Sequence, residues 1–176
     1  MGTQGAPSNY KNLPVEPADH ALGRSRGGLS TKIHTLTDQR ACPVTVILTP
    51  GQAGDNPQLV PLLDLHRRQH SGGRSRKFRV LADRAYSHPS TRKELRRRRI
   101  GNTIPQRSDQ QAHRKSKGSR GGRPPGFDAQ DYKLRNAVER GYARLKQWRA
   151  IATRYDKHAL TFLGGVHLAA SVLQLR

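Results

Sequence analysis

Between Tyr132 and Lys146 four side chains of different chemistry, Tyr132, Arg135, Glu139 and Lys146, recur at helical spacing. At about 100° per residue they fall within a ~60° stripe, a carboxylate set among cations and a phenol, which is the arrangement of an active-site face. Leu134, Val138, Gly141, Leu145 and Trp148 centre roughly 140° away, so one side of the helix can bury while the other presents the polar set. The residues alone leave alternatives open. Glu139 with Arg135 and Lys146 equally fits i,i+4 pairing on a solvated helix, and Tyr132 and Trp148 equally fit core positions.

Other elements must hold this face in place. Asp128 can cap the helix, with Asp131 in its first turn matching the macrodipole. Phe78 to Ala82 is a compact apolar strand that delivers Asp83 at its carboxyl end, where α/β sheets place ligands; a turn or helix-cap role for Asp83 is the competing reading. Thr31 to Thr37 and Val44 to Thr49 are β-rich runs that predict a hairpin around Asp38-Gln39-Arg40 and Pro43. Gln58 to Gln69, after Pro57, has Leu59, Leu62, Leu63 and His66 at helical spacing. A Gly72-Gly73 basic loop follows. Ser87 can cap a helix from Pro89 to Arg99 that Gly101 stops, and Asn102 to Ile104 reads as a short strand. Gln106 to Gly126 is basic and rich in Gly and Pro, a mobile loop that orders against DNA or else plain disorder. Leu160 to Leu175, interrupted by Gly164, Gly165, His167 and Ser171, is too short for a bilayer and predicts a buried terminal helix. The order β-β-α-β-α-β-α is that of an α/β domain.

Thirty-three Lys and Arg against twelve Asp and Glu give a net charge of +21, a self-repelling field that calls for a polyanion. Two clusters, Arg96, Arg97, Arg98 and Arg99, then Arg114, Lys115, Lys117, Arg120 and Arg123, have the density of a track along a phosphate backbone; a solvated face or a disordered tail is the bland reading of each. Cys42 is the only cysteine, so no intrachain disulfide forms and a reducing cytoplasm fits. Met1 to Ala21 contains Pro7, Pro14 and Pro17 and no apolar run, which excludes a signal peptide and predicts a loose polar leader without core. The eight histidines lack the paired spacing of a structural zinc site, and His34, His88 and His158 read as packing or surface residues.

Tyr132, Arg135, Glu139 and Lys146, in that order, resemble the signature of bacterial insertion-sequence transposases with an Asp-Asp-Glu (DDE) metal site. Further blocks are similar to the insertion-sequence-five type: Gly23 to His34 with Arg26-Gly27-Gly28-Leu29, Thr49-Pro50-Gly51-Gln52-Ala53-Gly54-Asp55, Leu81-Ala82-Asp83-Arg84-Ala85-Tyr86, Gly121-Gly122-Arg123-Pro124-Pro125 and Ile151 to Lys157. The resemblance spans about Leu22 to the C-terminus and implies an RNase H-like mixed sheet with flanking helices. It makes Asp83 and Glu139 the second and third metal-holding carboxylates, for Mg²⁺ or Mn²⁺. Arg135 and Lys146 would hold phosphates or steady Glu139, and Tyr132 would stack on a base or sugar. It also implies double-stranded DNA, element ends and target, as partner, a bacterial cytoplasmic location at the nucleoid, and no membrane.

The sequence departs from that pattern at one point. The family's first Asp lies on an opening strand ahead of the Arg-Gly-Gly-Leu block, whereas the upstream carboxylates here, Glu16 and Asp19, sit among Pro14 and Pro17, which argue against a central strand. The expectation is therefore a partial catalytic domain over residues 22–176 with its first strand missing, a C-terminal portion of a transposase that is inactive alone and complemented by the N-terminal part of the transposase or by a full-length copy. A non-catalytic DNA-binding remnant or regulator of transposition is the alternative. An RNA-binding protein also suits the charge, but gives no reason for the Tyr-Arg-Glu-Lys spacing.

Overall fold

The computed structural model describes residues 15–70 and 78–175, so the Gly72-Gly73 loop and Met1 to Pro14 of the leader lie outside the described residues. The chain forms a mixed α/β fold. Strand β1 (Gly23–Ser25) turns into β2 (Gly28–Thr37), which pairs antiparallel with β3 (Pro43–Pro50). Helix α1 (Leu59–Gln69) leads to β4 (Arg79–Leu81), α2 (Pro89–Arg97) and β5 (Gly101–Thr103), with β4 and β5 parallel. Four more elements precede the last: α3 (Ser108–Ser116), α4 (Ala129–Lys133), α5 (Asn136–Leu145) and α6 (Arg149–Ala152). Helix α7 (Ala159–Gln174) closes the described chain. Among the described residues no helix is long and apolar enough to cross a membrane.

The expected hairpin forms, with Thr31 opposite Pro50 and a bulge between Leu36 and Thr37. Pro43 opens β3, a place in a strand where proline is tolerated because its missing N–H falls at the end of the ladder. Helix α7 seats one face, Phe162, Val166, Ala169 and Leu173, at the i, i+4, i+7, i+11 spacing of a buried stripe. That stripe joins Cys42, Val46, Leu145 and Ile151 in one core. A second core, Leu59, Leu63, Val80, Ala82, Leu95 and Ile104, lies under α1, α2 and the β4–β5 pair.

Four local expectations are corrected. The signature helix is two helices, because around Leu134 and Arg135 the chain tightens into i→i−3 bonds, Arg135 N–H to Tyr132 O, Ala137 N–H to Leu134 O and Val138 N–H to Arg135 O, each 3.0 Å. That change of pitch turns Leu134 outward, 53% exposed, and buries Ala137 instead. The polar stretch from Gln106 to Gly126 contains α3, whose first turn carries Asp109 and whose last turn carries His113, Arg114 and Lys115, charges that match both ends of the helix dipole. Gly121 is required there, since a Cβ would sit 2.1 Å from Arg114 O.

Third, Ser87 does not cap α2: it is buried and its hydroxyl has no partner among the described residues, and His88 takes the cap through Nδ1. Helix α2 also stops before Gly101. Arg99 adopts φ +56, while Ile100 N–H bonds Leu95 O and Arg99 N–H bonds Arg96 O, both 2.9 Å, the paired bonds of a Schellman end with arginine in the glycine position. Fourth, residues 15–21 of the leader pack on the rest of the fold. Ala21 is buried, and Glu16 accepts from Ala159 N at 2.7 Å and Leu160 N at 2.9 Å, so it caps α7 from far away in sequence.

Candidate active site and its basic surroundings

Asp83 leaves β4 and caps the 3₁₀ turn Arg84–Tyr86, with one carboxylate oxygen accepting from Ala85 N at 2.9 Å. The turn and helix-cap reading is thus true of its backbone role, yet the same residue lines a cavity of about 290 Å³ together with Glu139 and Arg135 from the α4–α5 segment. Two carboxylates distant in sequence therefore share one wall-to-wall space. A third carboxylate, Asp55, lines it too. Asp55 follows β3 in the Thr49 to Asp55 block, and sequence reasoning gave it no role; its signal was its place in a block that returns to the carboxyl side of the sheet.

Two of the three acids, Asp55 and Glu139, have a basic partner. Lys32 Nζ on β2 donates to Asp55 at 2.9 Å and to Ala53 O at 2.7 Å. Arg135 pairs with Glu139 at 3.1 Å across one helical turn. Burial holds the His34 imidazole below its ordinary range against the attraction of Asp55, and its Nε2 lies 2.8 Å from Thr49 Oγ1, so it is a packing residue as expected. Burial also pushes the Tyr86 phenol well above its ordinary value, with the charges of Asp55 and Asp83 adding to the shift.

Tyr132 lies outside this cavity's lining. Its ring meets Phe127 at 5.2 Å between centroids, and the Arg135 guanidinium stands 5.8 Å over it, so Tyr132, Arg135 and Glu139 form a connected row. Lys146, the C-cap residue of α5, is exposed and lines neither described cavity. The structure thus brings together Asp83, Glu139 and Arg135, adjoins Tyr132, and leaves Lys146 at the helix end.

A larger cleft of about 980 Å³ continues from the cavity between β2 and β4. Gly51 N–H donates to Ser30 O at 3.0 Å, which in an antiparallel pair turns the backbone groups of Lys32, His34 and Leu36 toward β3 and those of Ile33 and Thr35 to the opposite edge. β1 takes up the start of that edge, at Gly28 to Ser30, and no described strand pairs with it at Ile33 and Thr35, where the Tyr142 hydroxyl donates to Ile33 O at 2.5 Å instead. Likewise Ala82 N–H donates to Thr103 O, so Arg79 and Leu81 of β4 turn their backbone groups away from β5. Two strand edges thus border one cleft, walled also by Leu134, Arg135, Ala137 and Val138 and by His66 of α1. Arg79 and Asp131 form an ion pair at its rim.

The basic residues divide. Arg97 clasps Glu94 with two bonds of 2.8 and 2.6 Å, and Arg98, largely buried, bonds Glu94 and Asp64, each at 2.6 Å. Those two fasten α2 to itself and to α1. Arg96 and Arg99 are exposed, as are Lys115, Lys117, Arg120 and Arg123, while Arg114 is half-buried under Gly121.

The sequence matches the family described as transposase DDE domain over residues 11–172. It is also similar to the putative transposase for insertion sequence element IS6501 of Brucella ovis, 31% identical over 152 residues, which is 84% of this chain and 100% of that protein. No solved structure matches it.

Proposed function

The chain belongs to the transposase DDE-domain family, and from that membership we propose that it is a DNA transposase of the Asp-Asp-Glu class, of the insertion-sequence-five type, that cleaves and joins DNA strands at the ends of an insertion element. The observation that carries this reading is the convergence of Asp83 and Glu139, with Arg135 beside them, on one cavity. The donor set fits the metal that such chemistry uses: carboxylate oxygens line the space, and its one imidazole, His34, is already bonded to Thr49, a hard-ligand environment suited to Mg²⁺ or Mn²⁺. Asp83 and Glu139 would hold the metal, which when bound supplies activation of the attacking oxygen and stabilisation of the leaving one.

This chain's own residues do the rest. Arg135, which pairs with Glu139 across one helical turn, would hold a phosphate oxygen of the scissile strand, and Lys32 balances the charge of Asp55. Tyr132 and Phe127 offer an aromatic platform for a base or sugar. Lys146, Arg96, Arg99, Lys115, Lys117, Arg120 and Arg123 track the flanking duplex, in keeping with a bacterial protein working at the nucleoid. The two strand edges bordering the cleft support an RNase H-like sheet that is completed by one more extended segment, and we take that segment, with its Asp, to come from the N-terminal part of the transposase. On this reading the chain alone is inactive.

The ion pairs Lys32–Asp55 and Arg135–Glu139 favour a second reading, a regulator that binds DNA without cutting it. One experiment separates the two. With the upstream polypeptide fused or co-expressed, Mg²⁺-dependent cleavage at element ends is expected, and Asp83→Asn or Glu139→Gln abolishes it while DNA binding stays nearly intact. Cleavage that survives either substitution, or robust cleavage by the chain alone, overturns the first reading; no cleavage under any combination supports the second.

A further inference from the structure

Away from the cavity, three side chains able to ligate a metal meet where residues 15–22 pack on the start of α7. Glu16 Oε1 lies 2.6 Å from His20 Nδ1 and 3.9 Å from His158 Nδ1, and one donor atom of each residue lies within 4.8 Å of the others. A metal bound at roughly 2.0–2.2 Å from each ligand holds tetrahedral donors roughly 3.3–3.6 Å apart, so the hydrogen-bonded Glu16–His20 pair opens and His158 closes in by small side-chain rotations to complete the set. The carboxylate is already aimed, because the N–H groups of Ala159 and Leu160 grip it in the way outer-shell donors orient a ligating carboxylate.

The backbone is bent to bring His20 there. His20 and Ala21 both have φ 51, a conformation that L-residues other than Asn and Asp seldom adopt and that costs of order 1 kcal/mol each. Capping α7 requires only Glu16. Two imidazoles in edge contact, their centroids 5.1 Å apart, are not needed for that task, and they arrive from opposite ends of the chain.

We propose that Glu16, His20 and His158 form a binding site for a divalent transition-metal ion of the zinc class, with water in the remaining coordination position, which fastens residues 15–22 to α7. Two imidazoles and one carboxylate select Zn²⁺, Co²⁺ or Ni²⁺ over Mg²⁺, which separates this site chemically from the carboxylate-lined cavity. His158, read from the sequence as a packing or surface residue, becomes a ligand.

The test uses the full chain, stripped of metal by a chelator, with Co²⁺ as a spectroscopic probe and Zn²⁺ as competitor. One Co²⁺ is expected to bind with visible d–d absorption that Zn²⁺ removes, and Zn²⁺ raises the melting temperature. His158→Ala, at an exposed side chain, and His20→Asn, which tolerates the left-handed backbone, each weaken Zn²⁺ binding by at least about tenfold and erase the band. Asp83→Asn and Glu139→Gln leave both unchanged. Independently of any variant, Co²⁺ should give large contact-shifted imidazole ring signals from two of the eight histidines. A band that survives both histidine variants, that follows Asp83 and Glu139, or that never appears overturns the site.

Discussion

Glu139 is 60% exposed and faces Arg135 at 3.1 Å, and an exposed i,i+4 pair of this kind contributes only about 0.3–0.5 kcal/mol. A carboxylate held so lightly can exchange its guanidinium for a metal ion at small cost, whereas Asp83 keeps one oxygen on Ala85 N and has the other uncommitted among the described residues. Binding of Mn²⁺, followed by the loss of free-ion paramagnetic resonance, should therefore weaken by at least about tenfold in Glu139→Gln or Asp83→Asn, and by less in Asp55→Asn, where Lys32 shares the charge. Wild-type affinity in Glu139→Gln and Asp83→Asn would remove those two as ligands, and an equal loss in Asp55→Asn would add Asp55 to them. Glu16 titrates differently. Partial burial raises its pKa, but hydrogen bonds from His20, Leu160 and Ala159 outweigh that and hold it at about 2, against an ordinary 4.5. Its folded pKa is depressed, so its contribution to stability is present above the ordinary value and is lost as pH falls from about 4.5 toward 2. Melting temperatures measured across that window in chelator should fall more steeply for the wild type than for Glu16→Gln; parallel curves would contradict the cap. Asp83 and Glu139 could be singled out as candidates because the blocks around them resemble the transposase signature, while their local settings, a strand end and a helical stripe, fit plain structural roles equally. Glu16 and Asp55 could not be, since their roles depend on Ala159, Leu160 and Lys32, which the fold brings from afar.

Helix α2 ends with Arg99 in a left-handed conformation where glycine would sit without strain, and Ile100 completes the motif by packing on the core that contains Leu95. Relief of the left-handed penalty, about 1 kcal/mol or more, slightly exceeds the extra chain entropy that glycine brings. Arg99→Gly is accordingly expected to stabilise the chain by up to about 0.5–1 kcal/mol in chemical denaturation, while weakening DNA binding. Loss of stability would mean that the arginine side chain supports the fold. Helix α3 presents the opposite balance: it buries no residue, and isolated helices this short are marginal in water. Trypsin should cut first between Arg107 and Arg123, and duplex DNA should protect those bonds; early cleavage elsewhere with α3 resistant in the absence of DNA would reverse its assignment. The hairpin, α1, α2 and α7 could be read from alternation and period, but not the caps, since His88 rather than Ser87 caps α2 and Glu16 caps α7. The break at Leu134–Arg135 could not, because it is set by where Ala137 and Gly141 must pack, with a Cβ at Gly141 only 3.1 Å from Ala41 O. Nor could α3, whose many Gly, Pro and Lys neighbours mask a well-charged helical turn.

At the scale of the molecule there are two hydrophobic cores, one joining β3, α5 and α7, the other joining α1, α2 and β4. A net charge of +21 on 176 residues adds mutual repulsion across the fold. The acids that could offset it are largely committed inside the fold, Glu94 and Asp64 to Arg97 and Arg98, Asp131 to Arg79, Glu16 to α7, so the exposed arginines and lysines outside these pairs are left to external anions. Duplex DNA satisfies that demand through its phosphates, and each neutralised phosphate releases a condensed counterion, which makes affinity fall steeply with salt. For several contacts the loss is on the order of a thousandfold between 50 and 200 mM salt. Because these cations lie apart from the carboxylate cavity, the binding should be indifferent to sequence and unchanged by Mg²⁺ beyond its ionic strength. Fluorescence anisotropy titrations on two unrelated duplexes, each over that salt range, should give parallel steep lines. Replacing Lys115, Lys117 and Arg120 together by Gln should lower the slope as well as the affinity, since fewer counterions are then released. A titration flat in salt, or a slope unaltered by the triple substitution, would mean that the charge serves some other partner and that α3 is not part of the DNA track.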